Sequence, residues 1–122
     1  MEKAVFMVLV AVYLVTTPAS TSAQDQSALS NSLSYLFDIP QVAWVVYDRN
    51  RAYLGITTVS PDVEQMVRSA ASIGSKGCGG EVQVWGVDAQ YGGWRPESGL
   101  PYICTAIASG GEVISGNCPG LK

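Results

Sequence analysis

Residues 60–87, SPDVEQMVRSAASIGSKGCGGEVQVWGV, decide the fold, because they hold a complete helix signal, a stop and a following strand. Ser60 offers an oxygen to an orphan backbone N–H, Pro61 suits the first helical position, and Asp62 and Glu64 complement the positive end of the helix dipole. Val63, Met66, Val67, Ala70 and Ile73 recur at three- and four-residue spacing. They lay one apolar stripe along the helix while Gln65, Arg68, Ser69 and Ser72 face away. Gly74 is placed to end the helix in a left-handed cap. Burying the four larger side chains of the stripe contributes roughly 1.5–3 kcal/mol each, far more than helix propensity does, so this helix needs a sheet to lie on. After it, SIGSKGCGG reads as a Gly-rich loop, and the alternation of Val82, Gln83, Val84 and Trp85 reads as a strand.

Upstream, residues 42–47 (VAWVVY) and the run AYLGITT are rich in β-branched and aromatic residues and flank the polar turn residues 48–51, which predicts a hairpin. Trp44 and Val46 share one face of the first strand. Ala52, Leu54 and Ile56 share one face of the second, so alternate positions can assemble a surface for the helix, while Gly55 leaves a gap on the other face. Before Pro40, the spacing of Leu29, Leu33 and Leu36 predicts a short helix over about residues 28–37, either docked on the domain or forming a loose stalk.

Downstream, residues 102–108 read as a fourth strand, Ser109, Gly110, Gly111 and Glu112 as a tight turn, and residues 113–115 as a fifth strand. The expected architecture is therefore α+β: a small antiparallel sheet of about five strands in the order β-β-α-β-β-β, with one main helix on one face and an extra N-terminal helix.

The chain of 122 residues has room for one domain, taken as residues 42–122 preceded by an N-terminal segment, residues 24–41. Residues 4–15 form an unbroken apolar run, too short to span a bilayer comfortably but suited to the middle of a signal peptide. Thr21, Ser22 and Ala23 supply a small-x-small cleavage site, so residues 1–23 are read as a leader and the protein as secreted or periplasmic, without stable membrane insertion after cleavage. Removing Lys3 with Glu2 leaves the net charge at −3, and the only close basic pair, Arg49 and Arg51, is flanked by Asp48. Polyanion binding needs clustered Lys and Arg, so nucleic acid is not an expected partner.

Cys78, Cys104 and Cys118 make an odd count, which in an oxidising compartment permits one intrachain bond and leaves one thiol free or open to a dimer. Centring the last turn between Gly110 and Gly111 sets Cys104 opposite Asn117, one residue short of Cys118. A bulge at Gly116 or Asn117 would join Cys104 to Cys118. Cys78 with Cys104 is the competing pair. Without histidine, and with no Cys-x-x-Cys spacing, no metal or cofactor is expected.

The ordered pieces WVVYDRNRAYLGITT, SPDVEQMVRSAAS, GCGGEVQVW and CTAIASGG resemble a family of small secreted bacterial cysteine-containing domains of unknown function. That family's pattern runs from an aromatic-x-x-x-Tyr hairpin through an Ala-rich helix and a Gly-Cys element with a Val-rich strand to a Cys-x-Ala-x-Ala strand. The resemblance implies secretion but no activity and no catalytic residues.

The absence of histidine also removes the commonest general base near neutral pH, and with it Ser-His-Asp and Cys-His catalysis. GSKGCGG lacks the Lys-Ser/Thr ending of a phosphate cradle and precedes a strand, so it is not one. A reactive Cys78 beside Lys76 is disfavoured at the C-terminal end of a helix. The remaining catalytic reading pairs Asp88 with Glu97 in a carboxylate-dependent enzyme on cell-wall or sugar substrates. Residues 88–101, DAQYGGWRPESGLP, form a long connection, and Tyr91, Trp94 and Arg95 within it are of the types enriched at binding hot spots. The principal expectation is a binding module, of inhibitor or immunity type, that meets a protein or an uncharged glycan through this loop. The competing role for Trp94 is a core plug.

Overall fold

The structure is a computed structural model that describes residues 27–118. The leader expected over residues 1–23 lies outside the described residues, as does the start of the 24–41 segment. Five strands, β1 (Val42–Asp48), β2 (Arg51–Ile56), β3 (Glu81–Asp88), β4 (Cys104–Ser109) and β5 (Glu112–Gly116), form one sheet in the order β1-β2-β3-β4-β5. The α+β class and the element order are as expected. The sheet, however, is mixed: β2 and β3 are parallel, and the other three pairings are antiparallel. The cause is the intervening helix, α2 (Pro61–Cys78), whose length carries the chain back to the starting end so that β3 runs beside β2 in the same direction.

Helix α2 starts where expected, with Ser60 extended as the N-cap, although the Ser60 hydroxyl accepts a hydrogen bond from Gln41 Nε2 and caps no helical N–H. It ends later than expected. Gly74 lies buried inside the helix, and residues 72–78 are helical rather than looped; Gly79, at φ 74°, is the left-handed cap, its N–H donating to the Ser75 carbonyl. Val63, Val67, Ala70, Ala71, Gly74 and Ser75 form the buried stripe, whereas Ile73 is exposed. The positions facing the sheet continue through residue 75, and Ile73 lies off that stripe at about 100° per residue.

Gly74 and Gly77 stay small because a second helix lies against them. A β-carbon on Gly74 would meet Leu29, and one on Gly77 would meet Ser32, both from α1, which is described over residues 27–32. A 3-10 turn, Ser34–Asp38, follows α1. Leu29, Leu33 and Leu36 are fully buried with the α2 stripe, so this N-terminal segment is docked and is no stalk.

The face of the sheet under the helices carries Ala52, Leu54, Ile56, Val82, Val84, Ala106 and Ala108, joined by Val45 and Tyr47 from β1. Trp44 and Val46 belong to the opposite face. The register places Val45 across from Leu54 and Tyr47 across from Ala52, which settles the alternation that the isolated strands left open. The β1–β2 turn is made by Arg49 and Asn50, with Arg49 at φ 59°, as primed hairpin turns require.

The β4–β5 turn is latched onto α2. The Ser75 hydroxyl accepts the Gly111 N–H at 2.9 Å and donates to the Ser72 carbonyl, while the Ser72 hydroxyl donates to the Gly111 carbonyl. Ser75 is fully buried. Ser75→Ala would leave the Gly111 amide without this acceptor, and the expected loss in urea unfolding is about 1–3 kcal/mol. A loss well below 1 kcal/mol would mean that another group takes over the amide.

A bulge also corrects the register of the last hairpin, at a different place from the one expected. Ala108 pairs with Val113, but Ile107 pairs with Ser115, so the extra residue is Ile114 rather than Gly116 or Asn117. From there on the pairing is shifted by one, and Cys104 and Cys118 meet in a disulfide with Cα atoms 4.9 Å apart. Gly116, at φ 135°, lies so close to the Thr105 backbone that a side chain has no room. Asn117 then closes the end of the hairpin by accepting the Thr105 N–H with Oδ1.

Candidate functional site

The second face of the sheet is aromatic. Tyr53 and Trp85 are cross-strand neighbours with ring centroids 5.4 Å apart, and Val46 and Val87 lie beside them. The Trp44 indole occupies the space left by Gly55 and donates from Nε1 to the Ala89 carbonyl at 2.9 Å. A face of this kind must be covered, and the covering is residues 88–101.

Local bonds shape that covering. Asp88 Oδ1 accepts the Gln90 N–H, the Asp88 carbonyl accepts the Tyr91 N–H, and the Tyr91 carbonyl accepts the Trp94 N–H. Gly93, at φ 81°, turns the chain so that Trp94 enters the face. Trp94 is 1% exposed and packs on Tyr53 at 5.5 Å and Trp85 at 5.9 Å, and its Nε1 donates to the Leu100 carbonyl at 3.1 Å. A 3-10 turn, Pro96–Ser98, and Gly99 at φ 79° return the chain toward β4. Hydrogen bonds fasten the return: the Ser98 hydroxyl donates to the Arg95 carbonyl and accepts the Leu100 N–H, and the Ile103 N–H donates to the Gly86 carbonyl. Aromatic pairs of this geometry contribute about 0.5–1.5 kcal/mol each beyond their buried area.

Of the three residues expected at an exposed binding tip, Trp94 is therefore the plug, and Tyr91 and Arg95 are half-buried. The Arg95 guanidinium lies over the Tyr53 ring, 5.3 Å from its centroid, and donates to the Trp94 carbonyl. Arg51 lies in the same way over Trp85, at 5.9 Å. What faces outward is the far side of the loop: Gly92, Gly93, Pro96, Glu97 and the run Leu100, Pro101 and Tyr102. Leu100 is 45% exposed and Tyr102 42%, yet both are held in place. The Leu100 carbonyl takes the Trp94 indole N–H, and the Tyr102 ring meets Trp94 edge-on at 5.8 Å while its hydroxyl accepts from Asn117 Nδ2. Sequence reasoning placed Tyr102 in a strand and passed over Leu100. The available signal was an apolar Leu-Pro-Tyr run at the end of a polar loop.

Asp88 spends an oxygen on the loop's first turn, and Glu97 stands exposed in the 3-10 turn, with no hydrogen bond joining the two carboxyl groups. Cys78, the cysteine left out of the disulfide, is half-buried at the last residue of α2. Among the described residues there is no group of His, Cys, Asp and Glu able to hold a metal ion, and no helix is long and apolar enough to cross a membrane. Comparison with protein-family models, with curated proteins and with solved structures yields no match to this chain.

Proposed function

We propose that the chain is a secreted or periplasmic binding module, of inhibitor or immunity type, that docks a protein partner on the outer surface of residues 88–102. The observation that carries this reading is the exposure of Leu100 and Tyr102 on a loop anchored from beneath by Trp94. Apolar side chains presented on a rigid support lose little entropy on binding, which is what a hot spot requires. An uncharged glycan is the weaker partner, because sugar rings stack on open aromatic faces and the exposed ring of this loop surface is Tyr102 alone, which already meets Trp94 edge-on. Here Tyr53, Trp85 and Trp94 are all buried in mutual contact. The apolar run of residues 4–15 and the Cys104–Cys118 bond both support export, since disulfides persist in oxidising compartments.

Deleting part of the loop would not test this reading, because it would remove the plug. The test is Leu100→Ala against Ile73→Ala, an exposed position on α2 across the sheet, in quantitative capture from native periplasm or culture medium. A partner enriched by the wild type should fall about tenfold with Leu100→Ala and be retained with Ile73→Ala. Equal capture by both variants would remove the loop surface as the docking site.

A further inference from the structure

Arg95 and Arg51 are guanidinium groups laid on the aromatic face, and neither is consumed by an ion pair with a carboxylate among the described residues. Carboxylates lie near both, without forming an ion pair with either. Asp48 is the cross-strand neighbour of Arg51, and Glu81 lies two residues before Gln83, which pairs with Arg51 across β3. Asp88 holds the Gln90 N–H, and Glu97 is exposed two residues beyond Arg95. One N–H of Arg95 goes to the Trp94 carbonyl, so the rest of its donor fork has no acceptor in the described protein. The position over the Tyr53 ring and that single bond hold the guanidinium in advance. A pre-oriented fork of this kind matches a carboxylate in bidentate fashion with little further loss of side-chain entropy.

From this arrangement we infer that the partner presents an acidic peptide segment, whose carboxylates are taken by Arg95 and Arg51 while an apolar residue sits on Leu100 and Tyr102. The inference rests on the loop-surface reading above and specifies its chemistry. A peptide fits better than an acidic glycan. The rings beneath the two guanidinium groups are already covered, leaving charge and the exposed Leu100 and Tyr102 side chains as the contacts on offer. Two arginines on one face without an ion pair to the neighbouring carboxylates offer charge complementarity to an acidic segment, and such complementarity selects partners.

The probe is a fluorescently labelled hexaglutamate peptide followed by anisotropy, with hexaglutamine and tetragalacturonate as the neutral and acidic-sugar arms. Hexaglutamate should bind the wild type and hexaglutamine should not, and binding should weaken as salt rises. Arg95→Gln should weaken it at least tenfold. Arg95→Lys, which keeps the charge but not the fork, should also fall severalfold, whereas Arg68→Gln on α2 should bind as the wild type does. Arg51→Gln, at an exposed position, provides a second variant that does not depend on the packing around Tyr53. Absence of hexaglutamate binding to the wild type, or unchanged binding by both Arg95→Gln and Arg51→Gln, would overturn the inference. Tighter binding of tetragalacturonate would overturn the assignment to a peptide. A partner lost with Leu100→Ala but kept with Arg95→Gln would leave the loop surface standing and remove only its acidic specificity. Arginine-dependent hexaglutamate binding with capture insensitive to Leu100→Ala would do the reverse.

Discussion

Trp94→Ala is expected to destabilise the domain by about 3–5 kcal/mol, the range for deleting a fully buried large aromatic side chain. Trp94 is in contact with Tyr53, Trp85 and Tyr102, and it carries the indole bond to the Leu100 carbonyl. Its removal opens a cavity over the sheet and frees the loop return at the same time. Small domains have about 5–15 kcal/mol of total stability, so the variant should unfold at markedly lower urea. Trp94→Phe keeps a ring and loses the N–H, and should cost less than Trp94→Ala. Equilibrium unfolding followed by far-UV circular dichroism measures both. A loss below about 1 kcal/mol for Trp94→Ala would mean that the loop is not held by its plug. The result also bears on binding, because Leu100 and Tyr102 are positioned through Trp94.

The second large effect is expected from the disulfide. Replacing Cys104 and Cys118 together by alanine should cost about 3 kcal/mol, from the freedom regained by an unfolded chain no longer closed into a loop of this length. The separation is 14 residues, and both sulfurs are buried against the helix-facing core, so the loss of packing adds to the loss of the cross-link. Thiol titration of the unfolded, unreduced wild type should find one free thiol, and Cys78→Ala should find none. Two free thiols in Cys118→Ala would accord with the Cys104–Cys118 pair, whereas no free thiol in Cys118→Ala, with Cys78→Ala the more destabilising of the two, would favour the competing pairing.

The parts of this fold that were legible in the sequence are those governed by neighbours along the chain. Ser60 and Pro61 opened the helix, Arg49 and Asn50 closed one hairpin, and Gly110 and Gly111 closed the other, because caps and tight turns depend on a few successive dihedrals. The helical end was misplaced for a related reason. Gly74 and Gly79 are both competent caps by local rules, and the choice fell to Gly79 because Gly74 packs against Leu29, which lies in α1, far back along the chain. The disulfide stood between two pairings until the extra residue at Ile114 shifted the register.

The candidate site was legible only as a location. Residues 88–101 stood out by length and composition, but Tyr91, Trp94 and Arg95 could not be sorted into inside and outside from their own neighbours. That sorting depends on Tyr53 and Trp85 being adjacent, which depends in turn on the parallel pairing of β2 with β3 across an eighteen-residue helix. By itself the sequence determined the class, the order of elements and the turns, since periodicity and turn chemistry are short-range. The tertiary structure alone decided which sheet face is aromatic, that Trp94 covers it, and that Leu100 and Tyr102 are left outside. Burial is a property of surfaces brought together from distant parts of the chain, and no local pattern specifies it.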